Sequence, residues 1–283
     1  MDQQKARTTN RRQRLIFDMV FDLFKSRRRT RLRAKPAPAA WRAILERNLP
    51  IFSRLSADDQ AELLGHTQVF LAEKHFEGCG GLELTDEMRV TIAGQACLLL
   101  LHRDTDYYPE LISVLVYPSG YTAHEERHIG GGIWEEGGQD RLGHTGKRLA
   151  ALVLAWDAVR HGASEPTDGE NLVLHEFAHQ LDFENQNSDG TPALETRGDY
   201  LAWARVMSAE FNALRNASDA GLPTLLDQYG ATNPAEFFAV ITEAFFERPR
   251  ALRKKHPSLF TQLERFYRQD PTTYSVEPAM AEG

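Results

Sequence analysis

The chain has 283 residues, of which 42% are hydrophobic and 26% charged, the proportions of an ordinary globular protein with room for a substantial core. Its two cysteines are too few for a disulfide-rich secreted protein, and no apolar run approaches the ~20 residues that a membrane-spanning helix needs. The net charge of −7 is uneven, because residues 1–35 hold twelve Lys or Arg against three Asp, which leaves the rest of the chain at −16. This composition favours a cytoplasmic globular protein with a basic N-terminal arm.

The basic arm, residues 1–35, has the least regular pattern of the chain. Residues 15–24 form a short amphipathic segment that Asp18 and Asp22 interrupt and arginines follow, and a signal peptide does not have this pattern. We expect a disordered or loosely packed leader; the alternative is an arm that contacts a membrane surface or nucleic acid. Residues 36–38, Pro-Ala-Pro, indicate a linker into the rest of the chain.

Beyond the linker, the hydrophobic periodicity predicts a mostly helical α+β domain over residues 36–270, with a small sheet that flanks a cleft. The predicted helices are residues 41–49, 57–65, 88–101, 172–182, 196–214, 234–247 and 258–267. The predicted extended segments are residues 69–71, 76–78, 114–117 and 152–155. We divide the domain into an N-terminal helical part, residues 41–110, and a second part, residues 111–270, and expect a loose tail at residues 271–283.

Residues 175–179 read His-Glu-Phe-Ala-His and lie in the middle of a predicted helix. Residues four apart share one face of a helix, so His175 and His179 can hold one metal ion, and Glu176 can take a proton from its bound water. This is the layout of a zinc hydrolase. The alternative is a core helix with two hydrogen-bonded histidines. Either Asp168 or Asn171 is expected to cap the helix.

Catalytic zinc usually has three protein ligands and a water, so a third ligand is needed. The metzincin extension would require Gly and His where this chain has Asp182 and Asn185, which excludes that class. The best candidate is Glu236, which follows an Asn233 cap and Pro234 at the start of an aromatic-rich helix, where a free carboxylate is costly to bury. The alternative for Glu236 is a capping-box carboxylate.

Three further acidic residues lie near these motifs. Glu243 shares the helix face of Glu236 and is expected to contact a metal ligand or form a salt bridge. Glu247 adjoins Arg248 at the predicted helix end, so we expect it to face solvent. Asp182 is either an acceptor for an imidazole N–H or an ordinary polar residue near a helix end.

Two segments together resemble the Mlc titration factor A family of bacterial zinc peptidases. They are HEFAHQLD (175–182) and YGATNPAEFFAVITEAFFE (229–247), and residues 70–101, 113–118 and 152–159 also resemble the family. The resemblance covers most of the chain from Trp41 to Tyr267. The same two segments resemble the catalytic domain of anthrax lethal factor, in which a Tyr also lies seven positions before the ligand Glu.

The resemblance implies a zincin-like, gluzincin-type peptidase core, with residues 111–270 as its catalytic part. His175, His179 and Glu236 would bind one Zn²⁺ per chain, and Glu176 would be the general base. Tyr229 would direct its hydroxyl at the carbonyl oxygen of the scissile bond. The alternative for Tyr229 is a loop aromatic that anchors the entry of the following helix.

The implied activity is hydrolysis of peptide bonds, of the aminopeptidase type on small peptides. The alternative function is regulatory: the protein would bind and sequester a DNA-binding transcriptional repressor, with weak or latent peptidase activity. Residues 128–148 depart from the family pattern with extra glycine and charge. His144 in this stretch could be an additional metal ligand, although we expect His124, His128 and His144 to be loop histidines.

Overall fold

The computed structural model describes residues 23–120, 151–185 and 187–276. Its helices are α1 (23–33), α2 (Ala39–Asn48), α3 (Ala57–Glu73), α4 (Asp86–Leu98), α5 (Trp156–Ser164), α6 (Leu172–Asp182), α7 (Arg197–Asp219), α8 (Pro234–Glu247), α9 (Pro249–Lys255) and α10 (Pro257–Tyr267). Its strands are β1 (His75–Gly78), β2 (Ser113–Tyr117) and β3 (Ala151–Ala155). The mostly helical α+β class is confirmed. None of the described helices combines the length and apolar composition needed to cross a membrane.

The three strands form one parallel sheet in the order β1-β2-β3, and they match the extended segments predicted around residues 76–78, 114–117 and 152–155. Ser113 of β2 pairs with His75 of β1 and with Ala151 of β3. Side chains of β2 alternate between the two faces of the sheet, so that Val114 and Val116 are fully buried while their neighbours are partly exposed.

Residues 69–71 were predicted to be extended, and this prediction is wrong because they continue α3 to Glu73. Val69 and Phe70 are both fully buried. A three-residue apolar run fits a buried helix as well as a strand, and here the surrounding helix decides between them. The extended backbone begins only at Lys74, directly before β1.

The described part of the basic arm is an ordered helix. Arg29 of α1 is only 9% exposed, and its guanidinium donates to Glu73 at 2.9 and 2.7 Å and to Asp106 at 2.6 Å. It also lies 4.6 Å above the Tyr107 ring. These contacts attach α1 to the domain, in contrast to the loosely packed leader that we expected; residues 1–22 lie outside the described residues.

Helices α6 and α8 pack directly against each other in the interior. Every residue of α8 from Glu236 to Glu247 is buried. The prediction that Glu247 faces solvent is therefore wrong, since its exposure is 1%. The chain turns at Arg248 straight into α9, which starts at Pro249, and this turn keeps the end of α8 inside the protein.

The chain does not loosen directly after Asp270. Pro271 and Tyr274 are buried, and the Tyr274 hydroxyl donates to Gln269 at 2.8 Å. The Arg54 guanidinium donates to the carbonyl of Ser275 at 2.8 Å. The expected loose tail thus packs on the core as far as residue 276, and residues 277–283 lie outside the described residues.

Candidate metal centre

Helix α6 presents two histidines on one face and apolar side chains on the other. Asn171 caps it by accepting a hydrogen bond from the Leu174 N–H at 3.1 Å, which settles the choice between Asp168 and Asn171. The buried side chains of the helix are Val173, Leu174, Phe177, Ala178, Leu181 and Asp182. The side chains of His175 and His179 are 16% and 26% exposed, so both reach the edge of the core.

Helix α8 brings Glu236 to these histidines. The helix starts at Pro234, and the Asn233 side chain accepts a hydrogen bond from the Glu236 N–H at 3.0 Å. The Glu236 carboxylate points at His175 and His179. The backbone N–H of Glu236 is therefore bound by the helix cap, while its carboxylate contacts the two histidines.

Three atoms converge here, and we call them the donor cluster: the Nε2 atoms of His175 and His179 and Oε2 of Glu236. The two nitrogens are 3.3 Å apart, and Oε2 lies 3.1 Å from His175 and 3.4 Å from His179. A tetrahedral ion with bonds of about 2.0–2.1 Å has edges of about 3.3–3.4 Å between its ligand atoms. The donor cluster matches these edges in size and in its mixture of nitrogen and oxygen donors, so these residues fit zinc.

Glu243 fixes the orientation of the His175 ring. Its Oε1 lies 2.8 Å from His175 Nδ1. A carboxylate only accepts, so Nδ1 carries a proton that it donates to Glu243, and a metal ion bound at Nε2 would replace the proton on that nitrogen. Burial alone would lower the pKa of His175, but the hydrogen bonds to Glu236 and Glu243 outweigh it and raise the pKa to about 10. The site thus gathers negative charge that attracts a cation.

Glu176 and Tyr229 lie beside the donor cluster. Glu176 is partly buried, and burial raises its pKa although the neighbouring histidines act to lower it. Tyr229 lies in a short 3-10 turn, Gln228–Ala231, with its ring centroid 6.2 Å from that of His175. Tyr229 is 46% exposed, so its ring lies at the surface of the protein beside the cluster.

Asp182 binds the turn that follows α6. It is fully buried, its Oδ2 accepts the Gly190 N–H at 2.9 Å, and burial raises its pKa to about 6. Among the described residues, no hydrogen bond joins it to an imidazole. The structure therefore favours a role in holding the chain beyond the helix. His124, His128 and His144 lie outside the described residues.

A second group of possible metal ligands, Asp59, Glu62 and His102, has a different geometry. His102 directs Nε2 to Asp59 at 3.2 Å and Nδ1 to Glu62 at 3.4 Å. The two carboxylates contact opposite nitrogens of the His102 ring, whereas the carboxylate of the donor cluster faces the same Nε2 atoms that would bind the metal.

Glu247, which was expected to face solvent, lies buried against the segment that leads into α6. Its carboxylate accepts hydrogen bonds from the Asn171 side chain and the Gly169 N–H, both at 3.0 Å. A signal was present, because Glu236, Glu243 and Glu247 are spaced by seven and four residues and therefore share one helix face. We call these three residues the glutamate face of α8.

Known proteins match nearly the whole described chain. A family model described as "Glucose-regulated metallo-peptidase M90" matches residues 23–268. An uncharacterized protein of Synechocystis is 39% identical over 244 residues, covering 86% of this chain and 89% of the relative. Proteins named Mlc titration factor A from Salmonella arizonae and Edwardsiella ictaluri are 30% and 31% identical, each over 79% of this chain and 89% and 85% of the relative.

Proposed function

The chain belongs to the glucose-regulated metallo-peptidase M90 family, as the resemblance to Mlc titration factor A indicated, and from this membership we propose that it is a zinc-dependent peptidase. The observation that carries the proposal is the donor cluster, with three donor atoms at the spacing of zinc ligands. We assign His175, His179 and Glu236 as the ligands of one Zn²⁺. The substrates would be small peptides, cleaved in the manner of an aminopeptidase.

The zinc ion, when bound, lowers the pKa of a coordinated water and polarises the carbonyl of the peptide bond. Glu176 is the general base: it accepts the proton of the attacking water and delivers it to the leaving amine. Its position next to His175 in α6 keeps it at the donor cluster. The Tyr229 hydroxyl, on the exposed side of the cluster, donates a hydrogen bond to the oxyanion that develops on the substrate.

The test combines metal content with peptide hydrolysis. We expect about one zinc per chain and activity on a panel of aminoacyl and internally quenched peptides. Glu176→Gln should keep zinc and lose hydrolysis, because the amide cannot accept the proton. Glu236→Ala should lose zinc, because only two of the three protein ligands, His175 and His179, remain. Normal hydrolysis by Glu176→Gln, or normal zinc content in Glu236→Ala, would contradict the assignment.

A second function is the binding of a transcriptional repressor, which the name of the relatives, Mlc titration factor A, supports. Glu176→Gln separates the two functions. A sequestering activity would survive this substitution, because the surface of the protein is unchanged, whereas hydrolysis would not. If every variant binds zinc normally and wild type cleaves no peptide of the panel, the regulatory function becomes the better proposal.

A further inference from the structure

Asn171 is the point where α6 is attached to α8. Its Oδ1 caps α6 by accepting the Leu174 N–H. Its backbone N–H donates to Glu243 Oε2 at 2.5 Å, and its Nδ2 donates to Glu247 Oε1 at 3.0 Å. Asn171, Glu243 and Glu247 are 5%, 7% and 1% exposed, so water does not compete for these hydrogen bonds.

Glu243 uses both of its oxygens. One accepts from Nδ1 of His175 at 2.8 Å, and the other accepts from the N–H of Asn171, four residues earlier. One carboxylate therefore holds a ring of the donor cluster and the start of its helix at the same time. Rotation of the His175 ring or a shift of α6 along its axis would break one of these contacts.

Glu247 adds a second attachment one turn further along α8. Its Oε2 accepts the Gly169 N–H, and its Oε1 accepts from Asn171. It touches neither histidine. A buried carboxyl group is costly unless it is hydrogen-bonded, and both bonds of Glu247 go to the segment that leads into α6. Its contacts therefore fix where α6 begins.

We infer that Glu243 and Glu247 are positioning residues that set the metal affinity of the site, Glu243 through the His175 ring and Glu247 through Asn171. This inference rests on the proposed function. The three members of the glutamate face then have graded roles: Glu236 donates to the metal, Glu243 orients a ligand, and Glu247 holds the cap of the ligand helix.

The test is zinc affinity, measured by competition with a chromophoric chelator. In Glu243→Gln an NH₂ group replaces one of the two carboxylate oxygens, so either His175 Nδ1 or the Asn171 N–H loses its acceptor. We expect zinc affinity to fall about 10–100-fold, the usual effect of losing such a partner. Glu247→Gln should weaken affinity by a smaller factor. The double variant should lose less than the product of the two factors, because Glu243 and Glu247 both accept hydrogen bonds from Asn171, so that loss of one contact weakens the effect of losing the other.

Glu264→Gln is the matched control, because Glu264 is 40% exposed on α10 and lies outside this group of contacts. Unfolding of the zinc-free variants by urea shows whether a loss of affinity merely reflects a less stable fold. Histidine ¹⁵N spectra of the zinc-loaded protein give the Nδ1–H signal of His175, which Glu243→Gln should shift and Glu247→Gln should leave nearer to wild type. If Glu243→Gln does not fold, Glu247→Gln decides, since it leaves every His175 contact in place.

Glu236→Ala is measured alongside, to separate this inference from the proposed function. If wild type binds no zinc, or Glu236→Ala binds it equally well, the proposed function fails. If wild type binds zinc and Glu236→Ala does not, while Glu243→Gln and Glu247→Gln match the control, the positioning inference alone is overturned. An affinity loss that only parallels lower stability of the zinc-free protein would also overturn it.

Discussion

At the scale of single residues, neighbours decide which charge a side chain carries. Glu62 of α3 accepts from the His102 N–H at 3.0 Å, and its Oε1 lies 3.1 Å from His66 Nε2. The hydrogen bond with His66 lowers the pKa of Glu62, burial opposes this effect, and the net result is a fall from 4.5 to about 2. The ionised form of Glu62 therefore stabilises the fold.

We predict that Glu62→Gln lowers the free energy of unfolding at pH 7 by about 1–2 kcal/mol, the scale of a charged hydrogen bond that is partly screened. A lowered pKa contributes stability that is complete above about pH 4.5 and disappears as the pH falls towards 2. Urea unfolding from pH 7 to pH 3 should show the gap to wild type shrinking. A gap that grows on acidification would contradict the predicted sign.

Tyr229 allows a second prediction at this scale. Tyr229→Phe should lower kcat by about 10–1000-fold, the scale of one oxyanion donor, with zinc content unchanged. Its ring lies beside His175 and outside the donor cluster, so removal of the hydroxyl leaves the metal ligands untouched. The comparison is of kcat and zinc content with wild type, and an unchanged kcat would remove Tyr229 from the mechanism.

At the scale of elements, the turn at Gly190 follows α6 in the chain and packs against the start of α8. Its N–H donates to Asp182, its carbonyl accepts from Trp203 Nε1 at 3.0 Å, and its φ is +75°. A Cβ at this position would lie 2.2 Å from the Pro234 carbonyl oxygen, closer than side chains tolerate. The turn therefore sets the spacing of the two helices that carry the donor cluster.

Gly190→Ala should destabilise the protein by more than about 1–3 kcal/mol, because a close contact is added to the cost of a positive φ. It should also weaken zinc binding, since relief of the contact moves Pro234 and the helix of Glu236. Gly221→Ala is the matched control, with φ +63° and nothing within 4 Å of its Cβ. Urea unfolding and zinc competition compare the two variants. Equal losses of stability and of zinc affinity would show that the contact with Pro234 does not contribute.

At the scale of the whole molecule, the candidate metal centre joins separate parts of the chain. His175 and His179 come from one helix and Glu236 from another, and both helices lie in the common core. An ion bound only by the folded protein stabilises it by mass action.

Removal of zinc should therefore lower the Tm. Zinc at a free concentration of 100 times its Kd would stabilise the fold by about 2.7 kcal/mol, which for a chain of this size corresponds to roughly 5–10 °C. Thermal unfolding with and without chelator, followed by re-addition of zinc, measures this shift. Glu236→Ala should show almost no response to the chelator, and a response equal to wild type would place the stabilising ion elsewhere.

Features that depend on local chemistry could be predicted from the sequence. The spacing of His175 and His179, the Asn233 cap and the strands around residues 114–117 and 152–155 all follow from helix and strand periodicity and from capping preferences. The structure brings the expected donor residues together, while their role as zinc ligands stays a proposal.

Only the tertiary structure decided features that depend on what packs opposite a residue. Glu247 is a charged residue next to Arg248 and Pro249, a sequence typical of a solvent-facing helix end, yet the turn into α9 buries it. Residues 69–71 suit either a strand or a helix, and their neighbours in α3 make them helical. Arg29 lies in a run of basic residues that favours a loose arm, but Glu73 and Asp106 bind it. In each case a partner distant in sequence removes water or supplies the opposite charge, and local sequence patterns contain no information about that partner.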